Sequence, residues 1–351
     1  MPTDGVTHRT DHLPTPDGVR LATCTWLPGT DSPRAIVQIA HGAAEHAQRY
    51  DRFARHLCAH GYASTASDRR LHGATAASTA RPPRPRPPTA ASTGGYGVVG
   101  EEGDSRRATV KDLRTVGDRT RRTIPGIPLF LLGHSMGSML ARDYAQEYGE
   151  DLAGLILSGT FRSLPATEPD QTIARLEAEI AEGGRTALSG FTTQLFAPFN
   201  DPYESGTGYE WLSRDPAEVA AYAADGRCGF PFSAGLSRDW VRAVRKINNP
   251  HHQARIPTRL PVHIAVGAED PRNQRMTLAY ELLEDFRYPG PHSSTVTTHQ
   301  QTVTRTPIPA PPGLHPPRWQ RPPPEVRYCS LARPARAKAR AGQAPGRGAV
   351  W

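Results

Sequence analysis

Cysteine is scarce in this sequence. Four occur in 351 residues (Cys24, Cys58, Cys228 and Cys329), far apart and never as C-x-x-C. That spacing excludes a disulfide-built scaffold and a zinc ribbon, and it fits free thiols in a reducing cytosol. No run approaches the roughly 18 to 20 apolar residues of a membrane span. The opening stretch, MPTDGVTHRTDHLPTPDGVR, has no apolar h-region. A secretory leader is therefore not expected, and the expected location is cytoplasmic. No P-loop pattern occurs, and no nucleotide cofactor is expected. His251 and His252 are adjacent, which makes their side chains diverge, and no further ligand cluster lies near them; no metal is expected. There is no internal repeat.

Acidic residues are scarce in one region only. The formal charge is +8, from 42 Lys and Arg against 34 Asp and Glu. As an average it invites an anionic partner. Residues 289–351, however, hold nine basic residues and the single acid Glu325, so residues 1–288 sum to zero. That tail carries thirteen prolines and only Trp319, Tyr328 and Trp351 as aromatics. It is expected to be disordered, and nucleic acid is not the expected partner. A second proline cluster, RPPRPRPP at 81–88, lies in an Ala/Ser/Thr-rich stretch that reads as a low-complexity insertion over 74–93.

Between these segments the pattern is that of a globular protein. AIVQIA (35–40), PLFLLG (128–133), LAGLILSG (152–159) and PVHIAVG (261–267) are short apolar runs ending at Gly or a polar residue. Such runs suit strands buried on both faces of a parallel sheet. Helical spacing separates them: Phe53, Leu57 and Cys58 share one face, and Leu140, Tyr144 and Ala145 another. The alternation predicts an α/β fold with a mostly parallel central sheet. From Phe161 to Arg259 the rhythm is helical, at 171–181, 216–224 and 237–247, with aromatic-rich loops. The spacing there predicts a helical cap inserted between two strands.

Gly133-His134-Ser135-Met136-Gly137 is a G-x-S-x-G between a strand pattern and a helical run. A tight strand-to-helix turn would expose the Ser135 hydroxyl, with small neighbours letting the backbone pass closely. Met136 would then offer a backbone N–H to a developing oxyanion. After AIVQIA comes His41-Gly42-Ala43, where a glycine can free the Ala43 N–H as a second donor. After PVHIAVG comes Glu269-Asp270-Pro271, an acid where a histidine-orienting carboxylate belongs; Asp270 is the first choice and Glu269 the alternative.

HGAAEHAQRY (41–50), GYASTASDRRLHG (61–73), LFLLGHSMGS (129–138), LILSG (155–159) and VGAEDP (266–271) together resemble the monoacylglycerol lipase and lysophospholipase branch of the α/β-hydrolases, often labelled serine aminopeptidase-like. The resemblance runs from about Asp17 to Tyr288. It implies an α/β-hydrolase fold with Ser135 as nucleophile, Asp270 as acid, and Ala43 with Met136 as oxyanion hole. The core would comprise 1–160 and 260–288, the cap 161–259 and the tail 289–351. A small lipid or ester is the implied substrate, and contact with a membrane surface would be transient, through the cap.

Two departures stand out. Leu71 occupies a position where the family's D-x-R-G-H-G has Gly. The third triad member has two candidates: His292, in a Y-P-G-x-H context but 22 residues after Asp270, and His299, 29 residues after it and following Thr-Val-Thr-Thr. The abrupt change at Tyr288 suggests the hypothesis of a shifted reading frame. Translation of the other two frames tests it: absence of a strand and a histidine motif from both disposes of the idea. The sequence thus supports a serine ester hydrolase acting through an acyl-enzyme, with a homologue impaired for want of a placed histidine as the alternative. A nucleic-acid-binding protein acting through the tail is the weakest reading.

Overall fold

Alternate residues of the central strands enter different apolar clusters, which shows that one sheet is covered on both faces. The chain is seen in a computed structural model that describes residues 5–30, 32–79, 95–100, 105–164, 168–203, 206–267, 270, 277–287 and, as backbone, 294–299. Its strands are β1 (Thr7–Pro14), β2 (Arg20–Leu27), β3 (Ile36–Ala40), β4 (Ala63–Ser67), β5 (Leu129–His134), β6 (Gly154–Ser158), β7 (Val262–Gly267) and β8 (Ser294–His299). They form one sheet in the order β1-β2-β4-β3-β5-β6-β7-β8. β2 runs antiparallel to both β1 and β4, and every other pairing is parallel.

Leu131 of β5 and Leu155 and Leu157 of β6 pack with helices α3 (Ser105–Thr123), α4 (Met136–Tyr148) and α10 (Thr277–Arg287). Leu132 and Ile156, their neighbours in sequence, belong instead with Ala54 and Cys58 of α1 (Asp51–Ala59). The four apolar runs read as buried strands are β3, β5, β6 and β7, as expected. β3 is the pivot. Through α1 the chain passes to β4 on one side of β3, and through α3 it returns to β5 on the other. The carboxyl ends of β3 and β5 therefore flank a topological switch point, where open α/β sheets bind ligands.

Between β6 and β7 lie α5 (Pro169–Gly183), α6 (Phe191–Phe196), α7 (Pro216–Ala224), α8 (Ala234–Ile247) and the one-turn α9 (Pro250–Gln253). Asp215 caps α7 by accepting the Ala217 N–H, with Pro216 at its first position, and Ser233 caps α8 by accepting the Leu236 N–H. The layer sits on α4 through Met136 and Met139, which share a cluster with Phe191, Phe232 and Trp240. Phe232 is fully buried there, a contribution of about 1.5–3 kcal/mol for such a side chain.

Two segments singled out by composition also carry regular structure. The stretch from 74 supplies a packed element after all: α2 (Gly73–Thr79) buries Ala76, and Thr75 Oγ1 donates to the Asp68 carbonyl and accepts the Ala22 N–H. Alanine favours helix up to the point where proline forbids it; residues 80–94 lie outside the described residues. Past 289 the described residues hold one paired strand. Ser294–His299 pairs with β7 in parallel, as its β-branched Thr-Val-Thr-Thr favours. His292 and residues 300–351 lie outside the described residues. Cys24, Cys58 and Cys228 are free thiols. Among the described residues no helix is long and apolar enough to cross a membrane.

Candidate active site

Ser135 lies at the turn from β5 into α4 with φ 51° and ψ −120°, a left-handed backbone that a residue with a side chain adopts only under constraint. The constraints are visible. The Ser135 N–H donates to the Ser158 carbonyl at the end of β6 (2.9 Å), and the Ser135 carbonyl accepts from the Ser138 N–H (2.9 Å) and hydroxyl (2.6 Å). A Cβ on Gly133 would meet the Gly137 carbonyl oxygen at 2.3 Å, and one on Gly137 the Ala40 carbonyl oxygen at 2.1 Å. Both glycines of the motif are thus required by backbone approaching backbone.

The loop after β3 faces this turn. No acceptor for the N–H of Ala43, or for that of Met136 at the start of α4, is found among the described residues. Glu45 reaches back three residues to accept the Gly42 N–H, and its carboxylate also accepts from Arg49 Nη1 (2.6 Å) and the Tyr50 hydroxyl (2.8 Å). Burial pushes the Glu45 carboxyl up, but Arg49, His134, Tyr50 and the Gly42 N–H together hold it below the usual value. Ala44, at φ 49°, gives its carbonyl to the Gly229 N–H and the Tyr222 hydroxyl, both at 2.9 Å, tying the helical layer to the loop.

These groups border a cavity of about 430 Å³. Ala43, Glu45, His134 and Ser135 line one side, and residues between Thr192 and Pro231, among them Phe196, Trp211 and Tyr222, line the other. Glu45, Arg49, Arg52 and Glu218 add charge to a wall that is otherwise largely aromatic and small. Asp270 follows β7, half-buried, its N–H donating to the Gly267 carbonyl (3.2 Å). His299 ends β8 with its backbone opposite Gly267. Thus Ser135, Asp270 and His299 all stand at the carboxyl edge of the sheet, after or at the ends of β5, β7 and β8. The structure brings Ser135, Ala43 and Met136 together; Glu269 and His292 lie outside the described residues.

The motif strings hold further residues that shape the site. Besides Glu45, these are Arg49, Tyr50, Asp68 and Arg69. Asp68 accepts the N–H groups of Ala47 (2.7 Å) and Ala74 (2.6 Å) and so holds the loop after β3 to α2. Glu at i+3 from a turn glycine, the spacing of a reciprocal cap, is the signal that could have found Glu45. One group of metal-ligand type is assembled among the described residues: His46, Asp225 and Cys228, within 4.8 Å of one another. Arg227 and His46 already occupy the Asp225 carboxylate, and burial pushes the Cys228 thiol up to about 12, so it stays protonated. That chemistry is a polar latch between α7 and the loop after β3, with a guanidinium where a cation would sit.

The family model for serine aminopeptidase, S33 (Hydrolase_4), matches residues 31–277. The chain belongs to this family. The monoacylglycerol lipase of Mycolicibacterium smegmatis is 30% identical over 208 residues, 59% of this chain and 61% of that protein. The monoglyceride lipase homolog of Monkeypox virus is 33% identical over 234 residues, 66% of this chain and 71% of that one. The chain thus spans about three-fifths of the length of the first of these relatives. A thermostable carboxyl esterase from Bacillus coagulans, solved with glycerol, superposes with a TM-score of 0.71 at 26% identity, covering 83% of this chain and 90% of that one. The sheet order and the position of the G-x-S-x-G turn are those of an α/β-hydrolase.

Proposed function

We propose that this chain hydrolyses carboxylic esters of small lipids, monoacylglycerols or lysophospholipids, through an acyl-enzyme. The observation that carries the reading is Ser135 at its constrained turn, on the wall of an aromatic-lined cavity, beside two N–H groups without acceptors among the described residues. A histidine takes the Ser135 proton as Oγ bonds to the ester carbonyl carbon. The carbonyl electron pair moves onto oxygen, where the Ala43 and Met136 N–H groups stabilise it. Collapse breaks the bond to the alcohol, which leaves with the histidine's proton, and water then repeats the sequence on the acyl-enzyme. Asp270 orients the histidine. His299 is the candidate supported by the adjacent carboxyl ends of β7 and β8, with His292 as the other.

Residues 161–259 serve as the cap in this reading, supported by their share of the cavity wall. Transient contact with a membrane surface would be made through them, and the enzyme would work in the cytoplasm without a cofactor. A fluorophosphonate probe is the test. It should label the wild-type chain at Ser135, and Ser135→Ala should abolish the labelling. His299→Ala and His292→Ala, assayed alongside, identify the base. Folded wild-type protein that neither labels nor turns over a monoacylglycerol would instead establish the impaired homologue.

A further inference from the structure

Arg69 is buried, 3% exposed, yet no carboxylate among the described residues pairs with it. Its fork is spent on backbone: Nη1 donates to the His41 carbonyl (2.7 Å) and Nη2 to the Gly42 carbonyl (2.6 Å). Nη2 also lies 3.3 Å from His72 Nε2. The Arg69 backbone N–H donates to His41 Nε2 (3.1 Å). With Nε2 accepting, the proton of the neutral His41 ring sits on Nδ1 and is donated to the Gly42 carbonyl (2.9 Å). The Gly42 carbonyl therefore receives two donors, one of them cationic.

In a trans peptide the C=O and N–H point in opposite directions. With the Gly42 carbonyl fixed on the guanidinium, the N–H of the same peptide unit, that of Ala43, is turned away from Arg69. Ala43 lines the cavity, and its N–H has no acceptor among the described residues. A cationic donor on the carbonyl oxygen also polarises the peptide, which strengthens its N–H as a donor. Glu45 fixes the preceding peptide from the other side through the Gly42 N–H.

We propose that Arg69 is a positioning residue for the oxyanion site: its fork orients and polarises the Gly42–Ala43 peptide so that the Ala43 N–H meets the charge that develops beside Ser135. The assignment rests on the ester-hydrolase reading above. Arg69→Met keeps the stem and removes the fork. Its kcat on a short-chain ester should fall about tenfold to hundredfold, a share of what a lost oxyanion donor costs, while KM holds. A trifluoromethyl ketone, which adds Ser135 Oγ to its carbonyl and so forms an oxyanion in the same place, should lose affinity by the same factor. Arg69→Lys, a point charge without a fork, should fall between the two. The proposal is overturned if a folded variant keeps kcat and ketone affinity within about twofold of wild type, or if KM alone rises. Should neither variant fold, or should the wild-type chain prove inactive so that the ester reading itself fails, proton exchange in the wild-type protein decides. Arg69 Nη protons that exchange slowly support the clasp, and exchange as fast as that of free arginine overturns it.

Discussion

Gly137 and the Ala40 carbonyl oxygen approach so closely that a Cβ on the glycine would stand 2.1 Å from that oxygen, and 2.5 Å from the carbonyl oxygen of His41. Both obstacles are backbone, and neither can swing aside. Gly137→Ala should therefore push α4 off the end of β3, at a cost of about 3 kcal/mol. Urea denaturation measures it, and fluorophosphonate labelling of Ser135 should weaken in parallel because the same displacement moves Met136. Wild-type stability in this variant would mean that α4 can shift freely.

Glu45 holds three donors at once, and its Arg49 partner is only partly exposed. Glu45→Gln keeps an acceptor for Gly42 and Tyr50 but turns an amide N–H₂ toward the guanidinium. A loss of about 2–3 kcal/mol at pH 7 is expected, below the full cost of a broken buried pair because Arg49 reaches some water. The folded Glu45 value is depressed, so its contribution is present above the unfolded value near 4.5 and is lost as pH falls through the folded one. The stability gap between wild type and Glu45→Gln should accordingly shrink below pH 4.5. A gap that persists at pH 3 would assign the loss to packing.

The parts of this fold legible in the sequence were those with strong apolar contrast. β3, β5, β6 and β7 announce themselves as unbroken apolar runs because both of their faces are buried, and G-x-S-x-G located the turn because only glycines fit beside backbone. β4, Ala-Ser-Thr-Ala-Ser, is just as buried, but its small side chains carry no hydropathy signal. β1 is an exposed edge strand that pairs only with β2, so its alternation is polar on polar. β8 lies where the proline-rich composition begins, and the average over the tail concealed six strand-forming residues. At the site, Ser135, Ala43 and Met136 could be picked out because their placement depends on backbone geometry that short motifs dictate. Arg69 could not: its partners, His41 and Gly42, lie 28 and 27 residues away in sequence, and only the parallel pairing of β3 with β4 brings them together.

Leu71 and Gly73 form a matched pair of left-handed residues, at φ 67° and 49°. They should respond unequally to exchange. A Cβ on Gly73 would overlap the Asp68 carboxylate at 2.1 Å and dislodge it from the Ala47 and Ala74 N–H groups. Gly73→Ala should cost about 2–3 kcal/mol from strain and two broken charge-assisted bonds. Leu71→Gly relieves about 1 kcal/mol of left-handed strain and gives up a similar amount of partial burial and chain entropy. Its thermal midpoint should stay near that of the wild type. A large drop in Leu71→Gly would show that the Leu71 side chain, which packs against the same apolar cluster as Tyr96, matters more than its backbone.

The last expectation concerns acid sensitivity above the carboxylate range. His41 and His72 are buried and held well below 6.5, by desolvation first and then by the Arg69 charge that faces both. His46 adds a further small push on His41. Both rings are neutral in the fold, while in the unfolded chain they protonate below about pH 6.5. Their contribution to stability is complete above that value and is lost progressively as pH falls toward the folded values. Well below 6.5 the two together should give a slope of about 2.7 kcal/mol per pH unit. Urea denaturation at half-unit steps from pH 7.5 to 5.0 measures it, and His72→Gln should remove about half of the slope while leaving its sign. A stability that stays flat across this range would mean that one or both rings reach a proton in the folded state.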